Sequence, residues 1–351
     1  MQVDYIIVGQ GICGTMLSWF LHKEGKTFLV MDEERPESSS RVAAGMINPV
    51  TGRRYAYSWM IEEVMPFAMQ VYEEMGNYLG INLLHPKSII DFFPHPQARI
   101  AFIERLAEND TYLHSFPDQN HFNQYFNYDF GCGEIRPACI VDLQLLLQSW
   151  RRKLIELNTL RAGSFHVNEI KQEEDHIIYE DIVAEKIIFC EGITATVNPW
   201  FQLLPFSANK GEALIIDSPE LTNEHIYKKG MMLVPLPSGL FWLGSNYQWE
   251  FENELPSSKF LDQCTTLLNH WLKKNYTIIE HKAAVRPATL ERRPFVGFHP
   301  MYRNIGILNG MGTKGTSLAP FFGNQLAQQM VHGFPIAAEA DISRFARILS
   351  K

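Results

Sequence analysis

The stretch DYIIVGQGICGTMLSWFLHKEG at residues 4–25 constrains the fold of this chain more than any other feature. Apolar residues up to Val8 predict a strand, Gly9, Gly11 and Gly14 follow at GxGxxG spacing, and helical periodicity begins after them. The first glycine permits a tight turn, the second lets a pyrophosphate approach the backbone, and the third lets the helix pack on the strand. The helix would face the phosphates with its unpaired N–H groups. The pattern predicts a dinucleotide-binding turn.

A second apolar strand, TFLVMDE, ends at Asp32. This position is close to the spacing of about 20 residues at which a carboxylate takes the ribose hydroxyls of a dinucleotide. Glu33 and Glu34 are further candidates, but Asp32 stands at the strand end and is favoured, with Glu33 beside it. The alternative is a doubly wound domain that binds nothing at this turn. The turn alone does not distinguish NAD from FAD.

The far end of the chain repeats this arrangement in NIGILNGMGTKGTSLAPFFGNQLAQQM at 304–330. A short strand at 305–308 precedes a glycine-rich loop with Gly310, Gly312 and Gly315, and a helix continues to Met330. Such a loop brings backbone donors and a second helix N-terminus to another part of a long cofactor, which suits FAD better than NAD.

Composition limits the remaining possibilities. The 351 residues predict two domains or one core with a large insertion, and 46% hydrophobic with 20% charged residues is typical of a globular protein. The five cysteines are scattered without a CxxC pair, which indicates free thiols and a reducing compartment and argues against a metal site. A net charge of −8 argues mildly against a polyanion partner. No stretch is long and apolar enough to span a bilayer, no secretory signal is recognised, and we expect a cytoplasmic protein.

Seven segments together resemble the D-amino acid oxidase superfamily of FAD-dependent oxidoreductases. The likeness is greatest to glycine oxidase, sarcosine oxidase and the oxidase domain of the bifunctional enzyme that modifies wobble uridine in tRNA. The segments are VGQGICG with Asp32, SSSRVAAGMINP at 38–49, IIFCEG at 187–192, KGEALII at 210–216, LVPLPSGLFWLGSNY at 233–247, VRPATLERRPFVGFHP at 285–300 and GMGTKGTSLAP at 310–320.

The resemblance implies an α/β fold (α+β overall). A discontinuous, Rossmann-like FAD-binding domain of the glutathione-reductase type would comprise residues 1–82, 138–205 and 284–351. A substrate domain with a mixed or antiparallel sheet and helices would comprise 83–137 and 206–283. Apolar spacing predicts helices at 60–79 and 258–274, and strand-like runs alternate with turns at 206–245. The aromatic run HFNQYFNYDFGCG at 121–133 is interpreted as a surface turn or subunit contact, with a lid as the alternative.

The resemblance also implies which residues hold the cofactor. VAAGMINP would pass beside the flavin and pyrophosphate, and a strand containing His166 and Val167 would lie near the adenine. The expected cofactor-binding residues are Gly9, Gly11, Ile12, Cys13, Gly14, Asp32, Glu33, Arg41, Ala43, Ala44, Gly45, Met46, Val167, Glu191, Gly192, Gly310, Gly312, Thr313, Lys314, Gly315 and Thr316. FAD is expected to be non-covalent, because the neighbourhood of Ala283 to Val285 lacks the anchoring cysteine of sarcosine oxidases.

Two cations are candidates for binding a substrate carboxylate. Arg286 matches the arginine that takes the carboxylate in glycine oxidase, and a planar guanidinium suits that role. The alternative is a structural ion pair with Glu291 or Glu212. Lys314 matches the lysine loop of sarcosine oxidases, and the alternative is a lysine pointing to solvent.

Three further residues are expected in the substrate pocket. Tyr247 stands where glycine oxidase has a pocket side chain, and Met232 stands where it has a tyrosine. Arg54, with Arg53 beside it, follows the stretch near the flavin, although a solvated pair of arginines is the alternative.

The implied reaction is oxidation of the C–N bond of a small amino acid or N-substituted glycine, by hydride transfer to flavin N5 and hydrolysis of the imine. This chemistry requires no dedicated acid or base, and none is assigned. An enzyme that removes the glycine moiety from modified wobble uridine in tRNA is one alternative. A dehydrogenase that uses an acceptor other than oxygen is another, because no oxygen-activating lysine stands at 248–251.

Overall fold

The computed structural model describes residues 1–108 and 111–350. It contains two compact units. Unit 1 comprises Met1–Arg41, Leu143–Asn209 and Val285–Lys351, and unit 2 comprises Val42–Asp142 and Lys210–Ala284.

The strands of the described residues are β1 (Gln2–Val8), β2 (Phe28–Asp32), β3 (Met46–Ile47), β4 (Val50–Thr51), β5 (Ala56–Tyr57), β6 (Leu84–Phe92), β7 (Leu113–Ser115), β8 (Cys132–Val141), β9 (Leu160–Ala162), β10 (Ile170–Gln172), β11 (Ile177–Tyr179), β12 (Ile182–Phe189), β13 (Asn209–Asp217), β14 (Ile226–Lys229), β15 (Met231–Pro235), β16 (Phe241–Gly244), β17 (Thr277–Arg286), β18 (Phe295–Phe298) and β19 (Ile305–Asn309). The helices are α1 (Ile12–Lys23), α2 (Ser39–Val42), α3 (Ile61–Leu79), α4 (Pro96–Glu108), α5 (Leu143–Glu156), α6 (Ser258–Trp271), α7 (Gly315–His332) and α8 (Ala346–Leu349).

Unit 1 is built on a sheet whose central strands are parallel. The order β9-β2-β1-β12-β19 is parallel throughout, with β18 antiparallel to β19 and the hairpin β10-β11 antiparallel to β12. Parallel strands buried on both faces read as continuous apolar runs, and residues 5–8 of β1 are buried without interruption. Helices α1 and α7 pack side by side, and Gly323 of α7 permits a close approach to Met16. This is the doubly wound arrangement that the sequence predicts.

Unit 2 is built on a largely antiparallel sheet. Its order is β17-β13-β16-β15-β14-β6-β8-β3, with β7 also paired to β8, and only the pair β14-β6 is parallel among the pairs whose direction is established. The predicted strands at 206–245 and the predicted helices near 60–79 and 258–274 are confirmed. Helix α6 begins after Ser257, whose hydroxyl accepts the N–H of Phe260 and caps the first turn.

The first boundary between the units differs from the expected one. The sequence predicts that residues 42–82 belong to the FAD-binding domain, whereas the structure groups them with unit 2. Residues 42–82 group with unit 2 because β3 pairs with β8 and helix α3 packs against β6. The later boundaries, at 209 and 284, lie close to the expected positions.

One further expectation is wrong. The strand expected at His166 and Val167 is not formed: His166 is extended, and Val167 begins a 3₁₀ turn that ends at Glu169. The aromatic run at 121–133 includes a 3₁₀ turn with exposed residues such as Asn123 and Gln124, while Phe122 and Phe126 are fully buried in the core of unit 2. Large aromatic side chains stabilise a core through the apolar area that they bury.

Candidate functional site

The turn between β1 and α1 depends on glycine for three separate reasons. Gly9 has φ +97°, and a side chain on it would lie 2.6 Å from the carbonyl oxygen of Cys190. A side chain on Gly14 would lie 1.8 Å from the carbonyl oxygen of Gly9, so no other residue fits there. A side chain on Gly11 would have the hydroxyl oxygen of Ser40 as its nearest neighbour, at 3.1 Å, and the φ of Gly11 is −72°. The backbone at Gly11 is therefore accessible from outside the turn.

The N-terminus of α1 has no cap from its own N-cap residue. That residue is Gly11, and no acidic residue stands in the first turn. The N–H of Ile12 donates to the hydroxyl of Ser40 at 3.0 Å. Burial raises the pKa of the Cys13 thiol to about 12, so this side chain is a neutral packing group. A helix end of this kind attracts an anion.

Asp32 stands at the end of β2 and faces this turn. Its Oδ2 accepts the N–H of Gln10 at 2.8 Å, and its Oδ1 accepts the N–H of Glu34 at 2.9 Å and the Arg151 Nη1 at 2.7 Å. A carboxylate has about four acceptor positions, so one remains, on Oδ2. Glu33 is exposed and is bound to Arg35 and to the hydroxyl of Ser164.

The second glycine-rich loop meets the first. Gly310 has φ +78°, and a side chain on it would lie 2.7 Å from Thr289 Cγ2. Asn309 donates to the carbonyl oxygen of Gly192 at 2.8 Å and accepts the N–H of Gly310, which ties this loop to the end of β12.

Helix α7 begins beside helix α1. A side chain on Gly315 would lie 3.3 Å from Ile12 Cγ2, so the two helices start at neighbouring positions. The structure thus brings together two helix N-termini and two glycine turns of unit 1, including the 3₁₀ turn Gly312–Lys314, exposed Thr313 and buried Thr316.

Glu191 lies against the first glycine of the motif. Its Cα would be 3.3 Å from a side chain on Gly9, and its Oε1 accepts from the Asn198 amide at 2.8 Å. Burial raises the pKa of Glu191 to about 7, although Asn198 and Arg35 act in the opposite direction. The sequence does not reveal this perturbation, because it depends on the burial of a residue that follows a strand.

The remaining expected cofactor residues are dispersed. Arg41 lies 3.6 Å from Glu34 in unit 1, and Val167 packs on the apolar core of that unit. Ala43 is exposed and Ala44 is partly buried. The other two lie where unit 2 begins its sheet: Gly45 accepts the N–H of Val141, and Met46 is paired with Ile140.

Arg286 is the last residue of β17, and its Nη1 donates to Asn209 Oδ1 at 2.8 Å. The two acids considered as partners have contacts of their own: Glu291 pairs with Arg344, and Glu212 accepts bonds from side chains of unit 2 such as Ser257. The Arg286 guanidinium is a fork of donors that can bind a carboxylate through two parallel charge-assisted bonds.

The segment after Arg286 lies against the second glycine loop. The carbonyl oxygen of Pro287 accepts the N–H of Gly312 at 3.4 Å. Lys314 forms no ion pair within the described residues, and burial, followed by the charges of Arg293 and Arg292, lowers the pKa of its ammonium group. Positive charge is concentrated in this part of unit 1.

The other substrate candidates lie in unit 2. The ring of Tyr247 is 52% exposed and stacks on Trp249 with centroids 6.0 Å apart. Met232 is half-buried in β15, opposite Gly244. Arg54 is exposed in the turn between β4 and β5.

No group of His, Cys, Asp or Glu side chains that could hold a metal ion occurs in residues 1–108 and 111–350. Over the same residues, no helix has the length and apolar character required to cross a membrane. Sequence reasoning missed Asn209 and Arg151, since both acquire their positions through partners that are distant along the chain.

A family model described as FAD dependent oxidoreductase (DAO) matches residues 4–329. The chain belongs to this family. Membership confirms the resemblance drawn from the sequence and makes the protein an FAD-dependent oxidoreductase.

Three solved structures share the fold of this DAO family member. Iminodiacetate oxidase (IdaA) from Chelativorans sp. BNC1 has a TM-score of 0.79 at 21% identity, with 98% of each chain covered. Glycine oxidase from Geobacillus kaustophilus has a TM-score of 0.78 at 17% identity, also with 98% of each chain covered. L-proline dehydrogenase from P. horikoshii has a TM-score of 0.75 at 14% identity, covering 99% of this chain and 98% of its own. The expected α/β fold is confirmed.

Proposed function

We propose that this DAO family member oxidises the C–N bond of a small amino acid or N-substituted glycine. The observation that carries the proposal is the cationic cluster of unit 1, Arg286 and Lys314 on adjoining segments: Arg286 ends β17, the carbonyl oxygen of the next residue, Pro287, accepts the N–H of Gly312, and Lys314 ends the 3₁₀ turn that begins at Gly312. A carboxylate is the substrate group that such a cluster favours. The names of the structural neighbours, which include an iminodiacetate oxidase and a glycine oxidase, agree with this class.

Unit 1 has the features that FAD requires. We assign the pyrophosphate to the backbone at Gly11 and the N-termini of α1 and α7, and the adenosine ribose to the remaining acceptor position of Asp32. Binding is non-covalent in this proposal, because all five cysteines are buried and β17 near Arg286 contains none.

The chain's residues would act by position and charge. FAD, when bound, supplies a hydride acceptor at N5. Arg286 would bind the substrate carboxylate through two parallel bonds, which fixes the orientation of the amine-bearing carbon. Lys314 would add a second positive charge; burial, followed by the charges of Arg293 and Arg292, lowers the pKa of its ammonium group, and an anionic substrate would favour the charged form. Loss of a hydride and a proton from the amine leaves an imine, which water hydrolyses.

Unit 2 is proposed as the substrate domain. Tyr247, Met232 and Arg54 are proposed as its substrate-binding residues. We propose the cytoplasm as the compartment, since the cysteines of the described residues are all unpaired thiols.

The test is anaerobic reduction of the FAD-loaded protein by glycine, sarcosine, proline and a panel of D- and L-amino acids. Bleaching of the flavin band by one class identifies the substrate, and readmission of oxygen or of a quinone identifies the acceptor. A bound flavin that no amino acid reduces overturns the proposal.

The carboxylate clamp has its own variant. We expect Arg286→Met to raise the substrate concentration for half-maximal reduction by about 10- to 100-fold, the range of a lost charge-assisted bond. The control is Arg347→Met, at an exposed position of unit 1 in α8. An Arg286→Met protein with unchanged concentration dependence would rule out the clamp.

A further inference from the structure

A buried arginine is attached to the acid at the end of β2. Arg151 lies in α5 and is only 7% exposed. Its Nη1 contacts Asp32 Oδ1 at 2.7 Å, its Nε contacts a Glu34 carboxylate oxygen at 3.0 Å, and its Nη2 contacts the Asp32 carbonyl oxygen at 3.4 Å. All three nitrogens of the guanidinium therefore contact residues 32–34, which restricts the rotation of the Arg151 side chain.

The same arginine also contacts the nucleotide turn itself. Gln10 stands between the first two glycines of the motif, and its side-chain oxygen lies 3.4 Å from Arg151 Nη1. The Gln10 side-chain nitrogen donates to the Leu147 carbonyl oxygen at 3.0 Å and to the Thr15 hydroxyl at 3.2 Å. Helix α5 is therefore joined to the turn through two side chains.

These contacts define the orientation of the Asp32 carboxylate. Oδ1 is saturated by Arg151 and the N–H of Glu34, and Oδ2 holds only the N–H of Gln10. Without the arginine, the Asp32 carboxylate would keep only the N–H groups of Gln10 and Glu34, and its χ2 torsion, which has broad minima, would be less restricted. Asp32 and Glu34 would also lose the cation that contacts both of them.

We propose that Arg151 is a positioning residue for the adenosine end of the dinucleotide. It fixes Asp32 so that the open position of Oδ2 receives the ribose 2′-hydroxyl. The inference rests on the proposed FAD site, and it concerns a residue that would contact the cofactor only through Asp32.

The test compares two ligands on the cofactor-free protein. FAD and an FAD analogue without the 2′-hydroxyl of its adenosine ribose are titrated, and the Kd of each is read from flavin fluorescence. We expect the wild-type protein to bind FAD about 10-fold more tightly than the analogue, as for one hydrogen bond to a charged group. In Arg151→Met the ratio of the two Kd values should fall below about 3-fold, because the substitution and the missing 2′-hydroxyl both remove the same interaction.

A purely structural role would give a different result. A loss of stability would weaken the binding of both ligands equally and leave the ratio of their Kd values as in the wild type. That outcome overturns the inference. Arg151→Lys, which keeps the charge, should restore part of the ratio and provides a second variant if Arg151→Met does not fold. The control is Arg152→Met, the exposed neighbour that contacts Ser149 on the same helix.

The experiment also separates this inference from the proposed function. A wild-type protein that does not bind FAD contradicts the cofactor site and the inference together. A wild-type protein that binds FAD with no preference over the analogue overturns only the ribose contact.

Discussion

Two buried carboxyl groups show how residue environment sets charge in this protein. In unit 2, Glu212 is 1% exposed, and burial alone would raise its pKa. The backbone N–H and the hydroxyl of Ser257, the Asn246 amide and the charge of Lys210 together hold that pKa below its ordinary value. In unit 1, Glu191 receives one amide bond, and burial prevails. The number of donors decides which form the fold retains.

The raised pKa of Glu191 predicts a pH-dependent stability. The folded protein keeps the proton up to about pH 7, whereas the unfolded chain loses it near 4.5. The stabilising contribution of the protonated form is therefore complete below pH 4.5 and is lost as pH rises through 7. We expect the unfolding free energy of the cofactor-free protein to fall over this window by about 1–3 kcal/mol relative to Glu191→Gln.

Urea unfolding at a series of pH values measures this difference. Glu37→Gln, at an exposed carboxylate of unit 1, is the control for the loss of one negative charge. A wild-type protein and a Glu191→Gln protein whose stabilities run parallel from pH 4.5 to 8 would contradict the assigned protonation.

At the scale of elements, the two glycine turns of unit 1 place two helices where their N-termini are neighbours. Helix α1 starts after a turn that needs Gly9 and Gly14 for steric reasons, and α7 starts at Gly315 beside Ile12. The turn residues therefore serve two purposes that can be separated. Gly14 permits folding, and Gly11 leaves the backbone open to a ligand.

Substitution of these glycines should separate folding from binding. In Gly14→Ala the new methyl group would lie 1.8 Å from a backbone oxygen, and we expect loss of more than about 4 kcal/mol or no folded protein. In Gly11→Ala the atom nearest to the new methyl group would be the Ser40 hydroxyl oxygen, at 3.1 Å, which belongs to a side chain and not to the backbone, so we expect a folded protein with FAD affinity reduced by about 10-fold or more.

Circular dichroism and FAD titration of the two variants check this prediction. A Gly14→Ala protein as stable as the wild type would contradict the geometry of the turn. A Gly11→Ala protein with unchanged FAD affinity would remove the pyrophosphate from this position.

At the scale of the whole molecule, charge bears on the alternative function. The net charge is −8, and a partner with a phosphate backbone requires clustered Lys and Arg. The cationic cluster around Arg286 and Lys314 is a feature of unit 1 that a single carboxylate can satisfy.

We therefore expect the Kd for tRNA at 0.15 M salt to be above about 10⁻⁵ M, a value within the range of non-specific binding. Filter binding or fluorescence anisotropy across a salt series measures this, with a basic RNA-binding protein as positive control. Salt-dependent tRNA binding at lower Kd would favour oxidation of a modified wobble uridine over a free amino acid.

The parts of the fold that local pattern predicts were found where expected. The GxGxxG turn, Asp32 at the end of β2, the second glycine loop, and the helices α3 and α6 all follow from residue spacing and glycine placement. The expected strand at 166–167 came from the resemblance alone, and in this chain Val167 begins a 3₁₀ turn instead. Local pattern does not reveal that residues 42–82 group with unit 2, because sheet partners such as β8 lie far along the chain.

The sequence by itself predicted the glycine turns and their helices, because these depend on glycines and apolar periods that act over a few residues, and its resemblance in seven segments indicated the family and FAD. Only the tertiary structure placed Asn209 on Arg286, Arg151 on Asp32, and Glu191 in an environment that retains its proton. Each of these contacts joins segments separated by many residues, and burial and charge are properties of the assembled neighbours. A single sequence carries no local signal for them.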